Sequence, residues 1–568
     1  MKTALAKPRT YVPQDLSILW ENLEDLFTEL QSREIADLPA LERWMLDRNE
    51  LDAVLQEDQA WRYIQMTCHT DNEEYAENFR YFTTEIEPKI APIQNQLDQQ
   101  LMANPLTSQL DPDRYFIYLR KVRKSLEIFR KENIPLFTEI QLKQQAYQAI
   151  VGNMTVSING EEYTMQQASV RLLDTDRAIR QEAWEAITTV RLAQTQALED
   201  IFQELLRLRH QVARNAGFEN YRDYMFVAMG RFDYSVADCE AFHTAVAEHV
   251  VPVLQKLASE RQQKLNLPSL QPWDMQVDPQ NLSPLKPFQS GTELIDKTEQ
   301  AFTALHPYMG QCLATMKTNG LFDVESRKGK APGGYNYPLY ESGAPFIFMN
   351  ATGTMRDLTT MVHEGGHAIH TFITADLALN DFKELPSEVA ELASMSMELL
   401  SMDQWHHFLP DADDLARAKK EQLDDVLSTL PWVATVDKFQ HWLYTNPDHT
   451  PTQRAEAWKT IYDTFGHGFA DWTSHEEAER YLWHKQLHIF EVPFYYIEYG
   501  FAQLGAISVW RNYLEDRDSA LAQYLAALKL GYTKPIGKIY ETAGVRFDFS
   551  ADYVESLVKF IENERKQI

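Results

Sequence analysis

Two histidines stand four residues apart in the run His363-Glu364-Gly365-Gly366-His367, and a glutamate directly follows the first. On a helix this spacing puts both imidazoles on one face, about 6 Å apart along the axis, so that they can converge on one metal ion. Glu364 can then reach a water on that ion without being a ligand, and take its proton as the water attacks a carbonyl. The chemistry expected is hydrolysis assisted by one zinc ion (Zn2+) per chain, with His363 and His367 as ligands and Glu364 as general base. The two glycines each cost a helix roughly 1 kcal/mol against alanine. Selection for helix stability alone would not keep them, whereas close approach of another element or of substrate would. The competing reading is two surface histidines on an ordinary helix.

A third ligand is required. His370 shares the face, but it lies about 10.5 Å along the axis from His363, whereas atoms bound to one zinc sit roughly 3–3.5 Å apart. A core or supporting role suits it better. Downstream, Glu384, Glu388, Glu391 and Glu398 are candidates. From Pro386 the sequence reads as a helix on which Glu388, Glu391 and Glu398 fall near one another among Ala, Ser and Met. Glutamates in such company are expected to be buried against a partner charge. Residue chemistry alone does not choose among them.

The elements that must position these groups are mostly helices. Amphipathic patterning runs from Asp15 to about Gln148, for example over 41–60 and 78–101, and resumes over 178–214. Between these, Val156 to Tyr163 carries an Asn159-Gly160 turn between extended residues, which predicts a hairpin near 155–164. Residues 266–289 are rich in Pro, Asn, Asp and Gln and read as an excursion. Gly-rich loops over 329–353 enclose the apolar run Pro345 to Asn350, which reads either as an edge strand that could pair with an extended peptide or, equally, as an ordinary buried strand. Helices then return to the end. The organisation expected is a helical N-terminal region, 1–195, ahead of a catalytic region, 196–568.

Composition narrows the partners. The chain has 568 residues and a net charge of −29, with no basic block to offset it. Its longest basic cluster, Arg327-Lys328-Gly329-Lys330, is too short to track a phosphate backbone, which argues against nucleic acid and anionic membrane. The acidity is read as solubility, with a bias of the cleft toward cationic peptides as the competing use. Cys68, Cys239 and Cys312 are odd in number and far apart, so neither a disulfide framework nor a thiolate zinc site is expected. Basic residues near Met1 are followed by no apolar stretch, and no run approaches the roughly 18 residues of a membrane helix. A cytoplasmic protein is expected.

The runs Gly329 to Asn336, Pro345 to Asn350, Asp357 with His363 to His370, Ala390 to Ser394 and His488 to Tyr499 together resemble the oligoendopeptidase F and thimet oligopeptidase family of zinc metallopeptidases. The resemblance covers about Val190 to the end, and the N-terminal helices more loosely. It implies a third ligand in a Glu-x-x-Ser pattern with a second Glu seven residues on. That selects Glu391, with Ser394 and Glu398 in the later positions, and Glu388 and Glu384 as rivals under a shifted alignment. Glu398 then orients a ligand histidine. A C-terminal histidine and tyrosines that stabilise the oxyanion are also implied. His488 matches the histidine, and Tyr496 with Tyr499 best fit the spacing, after a one-residue gap.

The fold class expected is therefore mainly α: an elongated multi-helix metallopeptidase with a small β element beside the active site and a deep channel admitting short peptides. The function expected is endopeptidase cleavage of short oligopeptides. One alternative is a carboxypeptidase or dipeptidyl carboxypeptidase on the same centre, which needs a cation for the substrate carboxylate that the sequence does not mark. The other is a catalytically silent peptide-binding protein, for which Glu364 would have no use.

Overall fold

The computed structural model describes residues 8–466 and 469–568; the N-terminal stretch with Lys2 and Lys7 lies outside them. Helices dominate, with one two-stranded and one three-stranded sheet. No helix among the described residues is long and apolar enough to cross a membrane.

The helix Leu38–Cys68 starts at Asp37, whose side chain accepts from the Ala40 amide, with a proline in the first turn. It runs 31 residues and serves two cores in succession. Leu41, Trp44, Leu51 and Leu55 join a smaller core built largely from residues 12–122. Ala60, Ile64 and Cys68 join the main core, which continues to Ile561. The expected helix over 178–214 is divided at Gln194 into Arg177–Ala193 and Thr195–Asn215. The main core passes across that break through Ile187 and Leu198. The expected helix over 78–101 contains a widened π turn, Phe82–Ile86, just ahead of Pro88. Proline has no amide hydrogen to continue the regular ladder.

The predicted hairpin is present. Strands β1 (Thr155–Ile158) and β2 (Glu161–Thr164) pair antiparallel. Asn159 and Gly160 between them both take positive φ, 55° and 82°, as a two-residue hairpin turn requires.

The second sheet decides between the two readings of the apolar run in favour of a buried strand. Strands β3 (Phe322–Glu325), β4 (Tyr335–Leu339) and β5 (Ala344–Ala351) lie in the order β3-β5-β4, so the Pro345 to Asn350 run is central rather than an edge. β5 pairs parallel with β3 and antiparallel with β4. Its residues are buried on both faces except Asn350, which is what an unalternating apolar run specifies. The edge next to the channel is β4.

β5 leads directly into the helix Met355–Thr374. Thr354 and Asp357 form a reciprocal capping box there, and Asp357 Oδ2 also accepts from the Thr352 amide at 2.8 Å. This helix packs against Ser387–Leu400, which in turn packs against Ile497–Glu515. Gly366 sets the first contact. A Cβ there would lie 2.7 Å from Ser394 Cα and 2.8 Å from the Ala393 carbonyl oxygen, and that carbonyl is fixed by the Tyr524 hydroxyl at 2.8 Å.

Gly366→Ala must therefore force backbone apart, and overpacking of this kind costs about 1–3 kcal/mol. A lowered melting temperature is expected. Gly537 provides the comparison, because an added methyl group there would meet nothing within 4 Å. Gly537→Ala is expected to change stability by less than about 0.5 kcal/mol; equal melting of the two variants would contradict the close approach at Gly366.

Candidate metal centre

His363 and His367 leave the same face of their helix, with ring centroids 5.0 Å apart. Glu391 comes from the facing helix Ser387–Leu400. Its Oε2 is 3.3 Å from His363 Nε2 and 3.6 Å from His367 Nε2. Atoms bound tetrahedrally at about 2.0–2.2 Å lie roughly 3.3 Å apart, so the set fits one zinc ion. His370 is fully buried with both ring nitrogens free of hydrogen bonds, and it stands outside the converging set of three.

The rival glutamates are engaged elsewhere. Glu384 pairs with Lys121 and accepts from Gln56 at 2.9 Å. Glu388 is buried, with Arg231 and Tyr234 the main polar influences on it. Glu398 takes the position expected of it, with Oε1 2.7 Å from His363 Nδ1. Since a carboxylate only accepts, the Nδ1 proton is fixed and Nε2 is turned toward Glu391. Glu398 Oε2 accepts from Gln422 at 3.0 Å, and Gln422 accepts from Thr359 at 3.0 Å. Glu391 is held by Ser394 Oγ at 2.9 Å and by the Tyr495 hydroxyl at 2.6 Å.

The charges follow from these contacts. Burial would raise Glu391, but His367, His363 and the Tyr495 hydroxyl lower it to about 2. Burial would lower His363, yet Glu391 and Glu398 hold it well above the usual histidine range. His363 thus keeps its proton facing an ionised Glu391 carboxylate. Burial brings His367 down to about 4. Glu364 is pushed up to about 7, chiefly by burial and then by Glu391 and Glu398 working against His363. A carboxyl titrating near neutrality is suited to accept and return a proton.

His488 lies at the same centre, and its tautomer follows from its neighbours. An indole nitrogen can only donate, so Trp432 Nε1, 3.0 Å from Gln486 Oε1, fixes the direction of that amide. Gln486 Nε2 must then donate to His488 Nδ1, at 2.7 Å. His488 carries its proton on Nε2, 3.2 Å from the Tyr499 hydroxyl. Burial lowers His488 to about 4, which keeps it neutral. Tyr499 therefore meets His488 by its hydroxyl, whereas Tyr496 meets it by its ring, at 4.9 Å. Neither bonds Glu391; that contact belongs to Tyr495, which the i,i+3 spacing does not select. Gln422, Thr359, Trp432 and Gln486 carry no local sequence signal.

These groups open into one cavity of about 1690 Å³, larger than the roughly 300–1,000 Å³ of a typical small-molecule site. Tyr63, Tyr147 and Arg191 from the N-terminal part line it together with the His363, Glu364 and His488 groups. β4 runs along it beside the base: a Cβ at Gly334 would lie 3.7 Å from Glu364 Oε1, and Asn336 donates to the Glu364 carbonyl at 3.2 Å. A second group of ligand type, Cys239, Asp437 and His441, is buried away from this cavity. There Asp437 Oδ2 is 2.9 Å from His243 Nε2 and 3.1 Å from His441 Nε2.

Comparison with known proteins places these features in a family. The model of peptidase family M3 matches residues 171–559, and that of the peptidase M3 N-terminal domain matches residues 8–129. An oligoendopeptidase F homolog of Lactococcus lactis subsp. lactis is 24% identical over 329 residues, 57% of this chain and 53% of that protein. The group B oligopeptidase PepB of Streptococcus agalactiae is 22% identical over 413 residues, 71% of this chain and 66% of that protein. The chain thus spans about half to two thirds of the length of these curated relatives. The solved structure of PZ peptidase A with an inhibitor superposes with a TM-score of 0.93 at 26% identity, covering 99% of both chains.

The ligand assignment is testable by metal content. Glu391→Ala is expected to lose metal on dialysis, while Glu384→Ala retains the wild-type content. The reverse result would move the third ligand to Glu384.

Proposed function

The chain belongs to peptidase family M3, and we propose that it is a zinc-dependent endopeptidase that hydrolyses internal bonds of short oligopeptides. The observation that carries this reading is the convergence of His363, His367 and Glu391 beside Glu364 in a cavity large enough for a chain segment. Zinc held by those three side chains would lower the pKa of water and polarise the scissile carbonyl.

The protein's own groups supply the rest. Glu364 takes the proton of the attacking water and returns it to the leaving amine. The His488 Nε2 proton and the Tyr499 hydroxyl stand ready to donate to the oxyanion as the carbonyl becomes tetrahedral. Glu398, with Gln422 and Thr359 behind it, aims His363, and Tyr495 with Ser394 aims Glu391. The free edge of β4 offers backbone groups to an extended peptide, which favours unstructured segments of any sequence. Enclosure between the N-terminal helices and the catalytic helices favours short peptides over folded proteins. A silent peptide-binding role would leave the buried Glu364 carboxyl without purpose.

Two substitutions separate these roles. Glu364→Gln is expected to keep its metal and lose kcat by about 10²–10⁴-fold on a quenched peptide series; unchanged cleavage by a metal-loaded variant would end the proposal. Gln486→Glu accepts from Trp432 but cannot donate to His488. It is expected to keep metal and lower kcat, by at most the ~10²–10³-fold that one oxyanion donor contributes. Loss of metal instead would assign Gln486 to the metal site.

A further inference from the structure

Three cations line the cavity from three separate elements: Arg191 from the helix Arg177–Ala193, Arg356 from the start of the helix Met355–Thr374, and Lys485 from the turn Leu482–Lys485. Among the described residues, none of the three makes a hydrogen bond or ion pair with a carboxylate. Two other cavity cations do: Arg417 pairs with Asp278 and Asp414, and Arg565 with Asp424; Arg261 donates instead to the Val277 carbonyl. Lys485 is accessible to the water of the cavity but surrounded by protein. Burial, and then Arg191 and Arg356, bring its ammonium down to about 7. Burial lowers Arg191 as well, with only the Tyr147 hydroxyl acting to raise it. Arg356 has Asp425 in its neighbourhood without bonding to it. Asp425 and Glu491, two further carboxyls of this cavity, are pushed up to about 6 and about 8, chiefly by burial.

Like charges held together without a bonded counter-charge are costly in a confined site, and in a chain of net charge −29 acidic partners are plentiful. Such an arrangement is stable in use when a ligand brings the anion. Position indicates which anion. Lys485 Nζ lies 4.7 Å from the centre of the Trp432 ring, the same indole that fixes Gln486 and, through it, His488. Lys485 therefore stands one indole away from the oxyanion donor, in the cavity that Arg191 and Arg356 also line.

We infer that Arg191, Arg356 and Lys485 form an anion subsite that receives the C-terminal carboxylate of the peptide substrate. This rests on the peptidase reading above and sharpens it: the enzyme senses the free end of the chain while cutting inside it. The cation that a carboxyl-directed peptidase needs, unmarked in the sequence, is assembled from positions 191, 356 and 485. An acidic side chain of the substrate carries the same chemistry, so the test must separate the two sources.

The test uses the zinc-loaded full chain and one neutral quenched peptide in three forms: free acid, C-terminal amide, and amide with one glutamate beyond the scissile bond. The amide is expected to show a KM about tenfold or more above that of the free acid, as befits loss of a charge-assisted contact, with kcat nearly unchanged. Lys485→Met should bring the ratio of the two KM values toward one, and Lys485→Arg should restore it. Equal KM for acid and amide in a wild-type enzyme that cleaves both overturns the subsite and leaves the peptidase reading standing. Preference for the glutamate-bearing amide over the free acid overturns the C-terminal assignment in favour of acidic side chains. Equilibrium binding of the acid and amide peptides to metal-loaded Glu364→Gln asks the same question without turnover. Equal affinities there overturn the subsite even if no peptide is cleaved, a result that would count separately against the peptidase reading.

Discussion

Residue 366 has no side chain, and the helices that carry the two histidines and Glu391 meet at that point with backbone against backbone. Every other distance at the centre depends on this approach. The Glu391 carboxylate reaches both imidazoles only because Ser387–Leu400 lies this close to Met355–Thr374. The same closeness lets burial set the charges of Glu364 and His367. Glycine in a helix is a local cost; here it is offset by the packing it permits. The main core, which surrounds both helices and extends into Ile497–Glu515, holds the approach in place.

The legible part of the molecule is the part in which function and spacing coincide along the chain. The His363–His367 interval and the Asn159-Gly160 turn each state their geometry within a few residues, and both are found as read. Glu391 is one of four chemically equivalent candidates until resemblance selects it; the structure distinguishes it by what the others already hold, Lys121 for Glu384 and His363 Nδ1 for Glu398. The β5 run reads in sequence as an edge or a buried strand alike, because a short apolar stretch does not say whether one neighbour or two will cover it. Gln422, Thr359, Trp432 and Gln486 are invisible there because hydrogen-bond partners brought together by tertiary packing share no period. Tyr495 lies inside a matching motif, but i,i+3 spacing favours its neighbours, whereas contact with Glu391 depends on the turn ahead of Ile497–Glu515.

Charge behaves differently at the scale of the chain and of the cavity. Taken over 568 residues, the surplus of acid reads first as solubility, and a cleft that attracts cations is the competing use. Inside, burial pushes the Asp425 and Glu491 carboxyls up, while Arg191, Arg356 and Lys485 line the same cavity without a bonded carboxylate. Part of the channel wall therefore presents cations with no bonded carboxylate inside a chain of net negative charge. A net charge describes the surface that partners meet first, and it leaves open what a substrate meets after entry.

The hydrogen bonds from Trp432 through Gln486 to His488 and Tyr499 have a direction, because they begin at a group that cannot accept. An amide between an indole and an imidazole cannot pass a proton onward without becoming an imidic acid, so this chain transmits orientation but not charge. It works as an insulator as well as a brace. His488 is held as a donor while being cut off, along this path, from exchange with outside solvent, and in the mechanism proposed above Glu364 is left as the group through which protons enter and leave. The division of labour between a wall that fixes hydrogen bonds and a wall that moves protons is thus decided by the chemistry of one tryptophan nitrogen.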